Sequence, residues 1–254
     1  MTPTMPGTAH NSVARRAAAR LYGAVRRRTF YGTIPAMPLL LPDPAAIRCV
    51  IFDFGGTLSS DFYFNVNPPD RPDWFSTIQR RLFADQPLVD RWMRQELALE
   101  DIAEVLAPEM GMSVVEVVHW AVLGCQRVKM NPVVWQFAEQ MKATGRSIAI
   151  VTGNMDVFNR YIRPNQGLDD LFPVIINSCD YGELDKTILW PLAFQALGPE
   201  IDYHNSLLIE DSPNNVARFV ASAGFAYQYT DDAALKQWLV MNHLWDSISE
   251  EQSQ

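Results

Sequence analysis

Five short aliphatic and β-branched runs, separated by stretches of helical character, constrain this chain more than any other feature. They are Cys49 to Phe54, Ser147 to Val151, Pro173 to Asn177, Ser206 to Ile209 and Ala226 to Tyr229. Strands alternating with helices are the pattern of a parallel sheet with helices on its faces. The helix boundaries are also marked. Asn131 and Pro132 open "NPVVWQFAEQMKATG", which Gly145 closes, and Ser212 and Pro213 start a helix through Ala223 that Gly224 ends.

One segment breaks the alternation. Between Asp61 and Lys129 no strand-like run occurs, but "DWFSTIQRRLFA", "PLVDRWMRQEL", "LEDIAEVLAPEM" and "SVVEVVHWAVLGCQRV" all read as helical. This is too large for an ordinary βα loop, and it makes a candidate second domain covering the end of the first strand. The expected fold class is α/β: a Rossmann-like parallel sheet flanked by helices, with an inserted helical domain.

Charge and cysteine usage exclude several functions. The first 42 residues hold Arg15, Arg16, Arg20, Arg26, Arg27 and Arg28 and no acid, yet the whole chain has a net charge of −8, so the body is strongly acidic. Such a body repels a polyphosphate backbone, and nucleic acid is not an expected partner. Val13 to Arg28 reads as a weakly amphipathic helix within a flexible extension; an organelle transit peptide or a membrane-surface helix are its alternatives. Cys49, Cys125 and Cys179 are widely spaced and outside any C-x-x-C pair, which disfavours a disulfide framework or a thiolate zinc site. A reducing, cytoplasmic setting is expected, with organelle import the alternative. No window reaches the roughly 20 apolar residues that span a bilayer, so integral membrane association is not expected.

In open parallel sheets, ligands bind beyond the carboxyl ends of the strands. The polar residues there are Asp53 after the first run, Thr152 after the second, and Glu210 with Asp211 after the fourth, while Lys186 lies in the connection after the third. Three carboxylates so close need a cation between them. An oxygen-rich set of this kind suits Mg²⁺, completed by water and a substrate phosphate.

"IFDFGGTL", "IVTGN", Lys186 and "LLIEDSPNN", in that order and at these separations, are similar to the four signatures of the haloacid dehalogenase-like (HAD) hydrolases. The resemblance covers roughly residues 48 to 230, and the helical insertion resembles the α-helical cap of that superfamily's first cap class. It implies a basic extension over 1–46, a core made of 47–60 and 130–243, a cap over 61–129 and a tail over 244–254. It also implies Asp53 as nucleophile and Mg²⁺ ligand, with the main chain of Gly55, Asp211 and Glu210 completing the metal site. Thr152, Gly153, Asn154 and Lys186 would bind the transferring group, Thr152 and Lys186 acting catalytically, and Asn215 would orient a metal-bound water. The substrate implied is a small phosphorylated metabolite; the oligomeric state is not implied.

Gly55 departs from the pattern. HAD phosphatases usually read D-x-D, the second aspartate serving as general acid and base; here that side chain is missing. Such help is worth about 10² to 10⁴ in rate, so the loss matters most for basic leaving groups and least for acyl or aryl phosphates. Asp61 is a candidate substitute. A second reading is a weakly catalytic or inactive domain that binds a phosphorylated ligand or a protein. A third is a 2-haloacid dehalogenase, whose halide needs no proton, although Glu210 and Asp211 are then hard to explain. Phosphonoacetaldehyde hydrolases use a cap lysine, which residues 54–128 lack. Discrimination between substrates is expected from "DFYFNVNPPDRPDWF", with Arg71, Tyr63 and Trp74 as contacts.

Overall fold

A computed structural model describes Leu41 and residues 43–245. Within them lies a five-stranded parallel sheet in the order β3-β2-β1-β4-β5, made of β1 (Cys49–Phe52), β2 (Ser147–Thr152), β3 (Val174–Asn177), β4 (Ser206–Glu210) and β5 (Phe225–Gln228). All five expected strands are present, with ends shifted by one or two residues. β1 is shorter than the run because Asp53 and Phe54 turn away after Phe52, although the Asp53 amide still donates to the Ile209 carbonyl.

The two-residue period of a strand explains the layers. Val50 and Phe52 face one side, packed with Phe137 of α5 (Pro132–Ala143) and Trp238 of α8 (Asp232–Met241). Cys49 and Ile51 face the other, packed with Trp190 of α6 (Lys186–Leu197) and Phe219 of α7 (Pro213–Ala221). Asn131 caps α5 through its side-chain oxygen, and Gly145 beyond it has φ +79°, as the sequence signals. α7 departs from expectation. Ser212 makes no side-chain cap bond, and the left-handed residue that ends the helix is Ala223 (φ 66°), so the helix stops at Ala221. Gly224 is required for a different reason: a Cβ there would lie 2.3 Å from the Phe219 ring.

The insertion is helical, as the pattern requires. It comprises α1 (Trp74–Ile78, continued by a wider turn over Gln79–Phe83), α2 (Gln86–Met93), α3 (Leu99–Met110) and α4 (Val114–Gln126). Trp74, Trp92, Phe64 and Ile102 are fully buried within it, continuous with the core of the sheet. Where the chain leaves and re-enters the sheet, the two crossings are laced together. The Ser59 hydroxyl donates to the Lys129 carbonyl (2.8 Å), the Lys129 amide donates to Asp61 Oδ2 (2.9 Å), and the Asn131 amide donates to the Leu58 carbonyl (2.7 Å).

The packed body extends slightly past the boundaries read from the sequence. Leu41 is buried and its amide donates to Asn242 Oδ1, while Trp245 stacks on Phe137. The helix read over Val13 to Arg28, with most of the extension and the tail after Trp245, lies outside the described residues. All three cysteines are free and buried. No single helix among the described residues is long and apolar enough to cross a membrane.

Candidate active site

The chain builds β1, β2 and β3 toward one edge of the sheet and β4 and β5 toward the other, so the order reverses beside β1, where ligands of open α/β sheets bind. Phe52 pairs in register with Ile150 and Ile209. Asp53 therefore stands level with Val151 and Glu210, and Thr152 lies one residue, about 3.3 Å, further out. Register alone thus gathers Asp53, Thr152 and Glu210.

Lys186, at the first turn of α6, reaches into this edge. Its Nζ lies 2.9 Å from Asp53 Oδ1 and 2.6 Å from Glu210 Oε2, and the three side chains are only 4%, 1% and 0% exposed. A lysine so placed is not a solvated surface residue. Removed from water, the carboxylates and the ammonium are held by one another. Glu210 is further fixed by the Ser212 amide on Oε1 (3.0 Å) and by Asn215 Nδ2 on Oε2 (3.1 Å). Asn215 thus organises the glutamate through its side chain, and Ser212 through its backbone amide alone.

Asp211 sits against the turn after β1. Gly56 has φ +84°, and a Cβ there would lie 2.5 Å from Asp211 Oδ2, so only glycine leaves room for this carboxylate. Asp53, Glu210 and Asp211 each present an oxygen within 4.8 Å of the other two. An all-oxygen, all-anionic donor set fits Mg²⁺ better than a softer ion. Gly55 lies in the same turn, bridged to Ser59, and its φ is not positive.

The insertion closes over this edge. Asn154, 3% exposed, donates from Nδ2 to the Tyr63 hydroxyl (2.6 Å), and its amide donates to Ser178 Oγ. Gly153 faces Met93, whose Cε would be 3.0 Å from a Cβ at that position. Beside it, Asp156 accepts from Trp92 Nε1 (2.6 Å), the Leu99 amide (3.3 Å) and Arg160 Nη1 (2.8 Å), so one buried carboxylate binds α2, α3 and the core together.

Of the three residues expected to discriminate substrates, only Tyr63 touches this region. Arg71 donates to the Gly111 carbonyl inside the insertion, and Trp74 is buried with its Nε1 on the Phe64 carbonyl. Asp61, the candidate substitute acid, accepts from Lys129 in the crossing described above. Asp156 and Ser178 had no signal in the sequence, because their roles depend on where the insertion lands.

No protein-family model matches the chain, and no curated protein matches it. Solved structures do. A predicted HAD-like family hydrolase from Porphyromonas gingivalis superimposes with TM-score 0.54 at 16% identity, over 77% of this chain and 98% of that one. The fold is HAD-like. L-2-haloacid dehalogenase from Xanthobacter autotrophicus, with chloropropionic acid covalently bound, matches with TM-score 0.53 at 17% identity, over 79% of this chain and 85% of that one. A HAD family enzyme from Bacteroides thetaiotaomicron, in complex with magnesium and inorganic phosphate, matches with TM-score 0.52 at 13% identity, over 74% of this chain and 98% of that one.

Proposed function

We infer that this chain is a Mg²⁺-dependent phosphohydrolase acting on a small phosphorylated metabolite through an aspartyl-phosphate on Asp53. The observation that carries the reading is the buried Asp53–Lys186–Glu210 chain of charges with Asp211 beside it. A carboxylate nucleophile, a cation beside it and a nearby acidic metal site are the parts that phosphoryl transfer requires. Asp53 attacks phosphorus, and the bond to the leaving oxygen breaks with its electron pair. Water then attacks the aspartyl-phosphate, releasing inorganic phosphate and restoring the carboxylate, and the water's proton passes to the departing phosphate. Lys186 balances charge on the phosphoryl oxygens, and Thr152 and the Gly153–Asn154 backbone orient them. Asp53, Asp211 and the Gly55 carbonyl would hold Mg²⁺, with Glu210 at its margin; the ion supplies charge neutralisation for phosphate beside a carboxylate.

The test is turnover of aryl, acyl and alkyl phosphates with Mg²⁺ and with EDTA, with Asp53→Asn as blank. Mg²⁺-dependent release of phosphate that Asp53→Asn abolishes is expected. Because φ at Gly55 is not in the left-handed region, Gly55→Asp should raise alkyl-phosphate turnover by about 10²-fold while changing aryl phosphates little. No turnover of any ester would refute the reading. Gly55 also favours 2-haloacid dehalogenation, in which Asp53 displaces halide without a general acid. Halide release from 2-chloropropionate that persists in EDTA would establish that second reading.

A further inference from the structure

We propose that the leaving group accepted at this site is uncharged, so that its substrates are phosphate monoesters or acyl phosphates with no second anionic group. The inference rests on the phosphohydrolase reading and narrows it. Residues 54–128 contain six arginines and no lysine. Five of the six have partners of their own. Arg71 lies on the Gly111 carbonyl, Arg80 on Thr77 Oγ1, Arg81 on Glu109, Arg91 on Glu96, and Arg94 on the Gly182 carbonyl with Glu183 3.9 Å away. The sixth, Arg127, is exposed at the end of α4, next to the crossing back to the core.

Two groups of the insertion that meet the loop after β2 are neutral: the Tyr63 hydroxyl on Asn154 and the Met93 side chain against Gly153. The one buried cation at this edge among the described residues, Lys186, already balances Asp53 and Glu210. Asp53, Thr152, Asn154 and Glu210 are all 3% exposed or less, so a second anion brought here would be desolvated, and among the described residues the cations at hand are already paired: Lys186 with Asp53 and Glu210, Arg160 with Asp156 and Glu100. A neutral aryl or acyl group meets no such penalty, and the tyrosine and methionine offer it an apolar wall with one hydroxyl.

Phenyl phosphate and 4-carboxyphenyl phosphate separate the cases, because the carboxylate adds charge while leaving the phenolate slightly easier to expel. With the full chain and Mg²⁺, kcat/KM should be at least about 100-fold lower for the carboxylated ester, the size expected for an unpaired buried charge. Met93→Lys, at a half-buried position that tolerates a stem of similar length, should narrow that gap by about tenfold or more, mainly through KM. Equal turnover, or a preference for the carboxylated ester that Arg94→Gln removes, would overturn the inference while leaving the phosphohydrolase intact. Turnover of neither ester, equal to the Asp53→Asn blank, would overturn the phosphohydrolase reading and this inference with it.

Discussion

Replacing Lys186 by Met tests the buried charge chain directly. The substitution keeps the stem and removes the ammonium that stands 2.9 Å from Asp53 and 2.6 Å from Glu210, both essentially without solvent contact. Removing one partner of a buried pair costs about 3–5 kcal/mol, because an uncompensated charge stays behind. Here two carboxylates lose the same cation, which places the loss near the upper value. For a domain of this size about 1 kcal/mol moves the midpoint by 2–4 °C, so thermal unfolding in EDTA should fall by about 10–20 °C. Two further measurements show that electrostatics rather than packing is responsible. Adding Glu210→Gln to Lys186→Met should recover part of the loss, since only one buried carboxylate then lacks a cation. Saturating Mg²⁺ should stabilise Lys186→Met by more degrees than the parent, because the ion neutralises the same carboxylates. A Lys186→Met protein that melts within about 3 °C of the parent in EDTA would refute the argument, since the charges would then be solvated rather than buried.

Other perturbations follow from single contacts. Gly56→Ala drives a Cβ into the Asp211 carboxylate at a residue with φ +84°; it should cost about 1–3 kcal/mol and abolish stabilisation by Mg²⁺, read by calorimetry with and without the ion. Asp156→Ala strands the Trp92 indole N–H and the Leu99 amide where the insertion meets the core. A loss of about 2–5 kcal/mol is expected, with faster proteolysis within residues 61–129 than in Asp156→Asn, which keeps one acceptor. Burial pushes the Cys49 and Cys125 thiols up to about 12 from an ordinary 9.0. In the unfolded chain they ionise first, so between pH 9 and 12 the folded state holds more protons and stability falls by about 1 kcal/mol per thiol for each pH unit. Below pH 9 they contribute no slope. Urea unfolding of Cys49→Ala against the parent at pH 8 and pH 10.5 measures it, and an unchanged difference between the two would refute the assignment.

Which parts of this molecule the sequence discloses depends on how far apart in the chain the interacting groups lie. The strands are legible because each is a local aliphatic run, and Asn131, Pro132 and Gly145 mark one helix through backbone chemistry acting within a few residues. The strand-end acids are legible as a set because a parallel sheet brings its carboxyl ends together whatever the helices do. Lys186 is legible only as a lysine in the connection after the third strand, since nothing in "KTILWP" says that an ammonium at the start of a helix will be buried between two carboxylates. Ser212 does stand at the start of its helix, but without a side-chain cap bond. Its side chain resembles a helix cap, but the useful group is its backbone amide, already committed to Glu210.

The contacts between insertion and core had no local signature at all. Tyr63 and Asn154 are separated by 91 residues, Trp92 and Asp156 by 64, and Lys129 and Asp61 by 68. Each depends on the angle at which four helices return to the sheet, which hydrophobic periodicity does not determine. That angle is set where the chain crosses twice, and there Ser59, Asp61, Lys129 and Asn131 fasten the crossings to each other within a few residues of Gly55, Gly56 and Thr57. The turn that follows Asp53 and carries Gly55 and Gly56 is therefore also the turn that anchors the insertion. A movement of the insertion therefore acts on the backbone next to Asp53, and Asp61, whose Oδ2 accepts the Lys129 amide, is one of the groups that fasten that crossing.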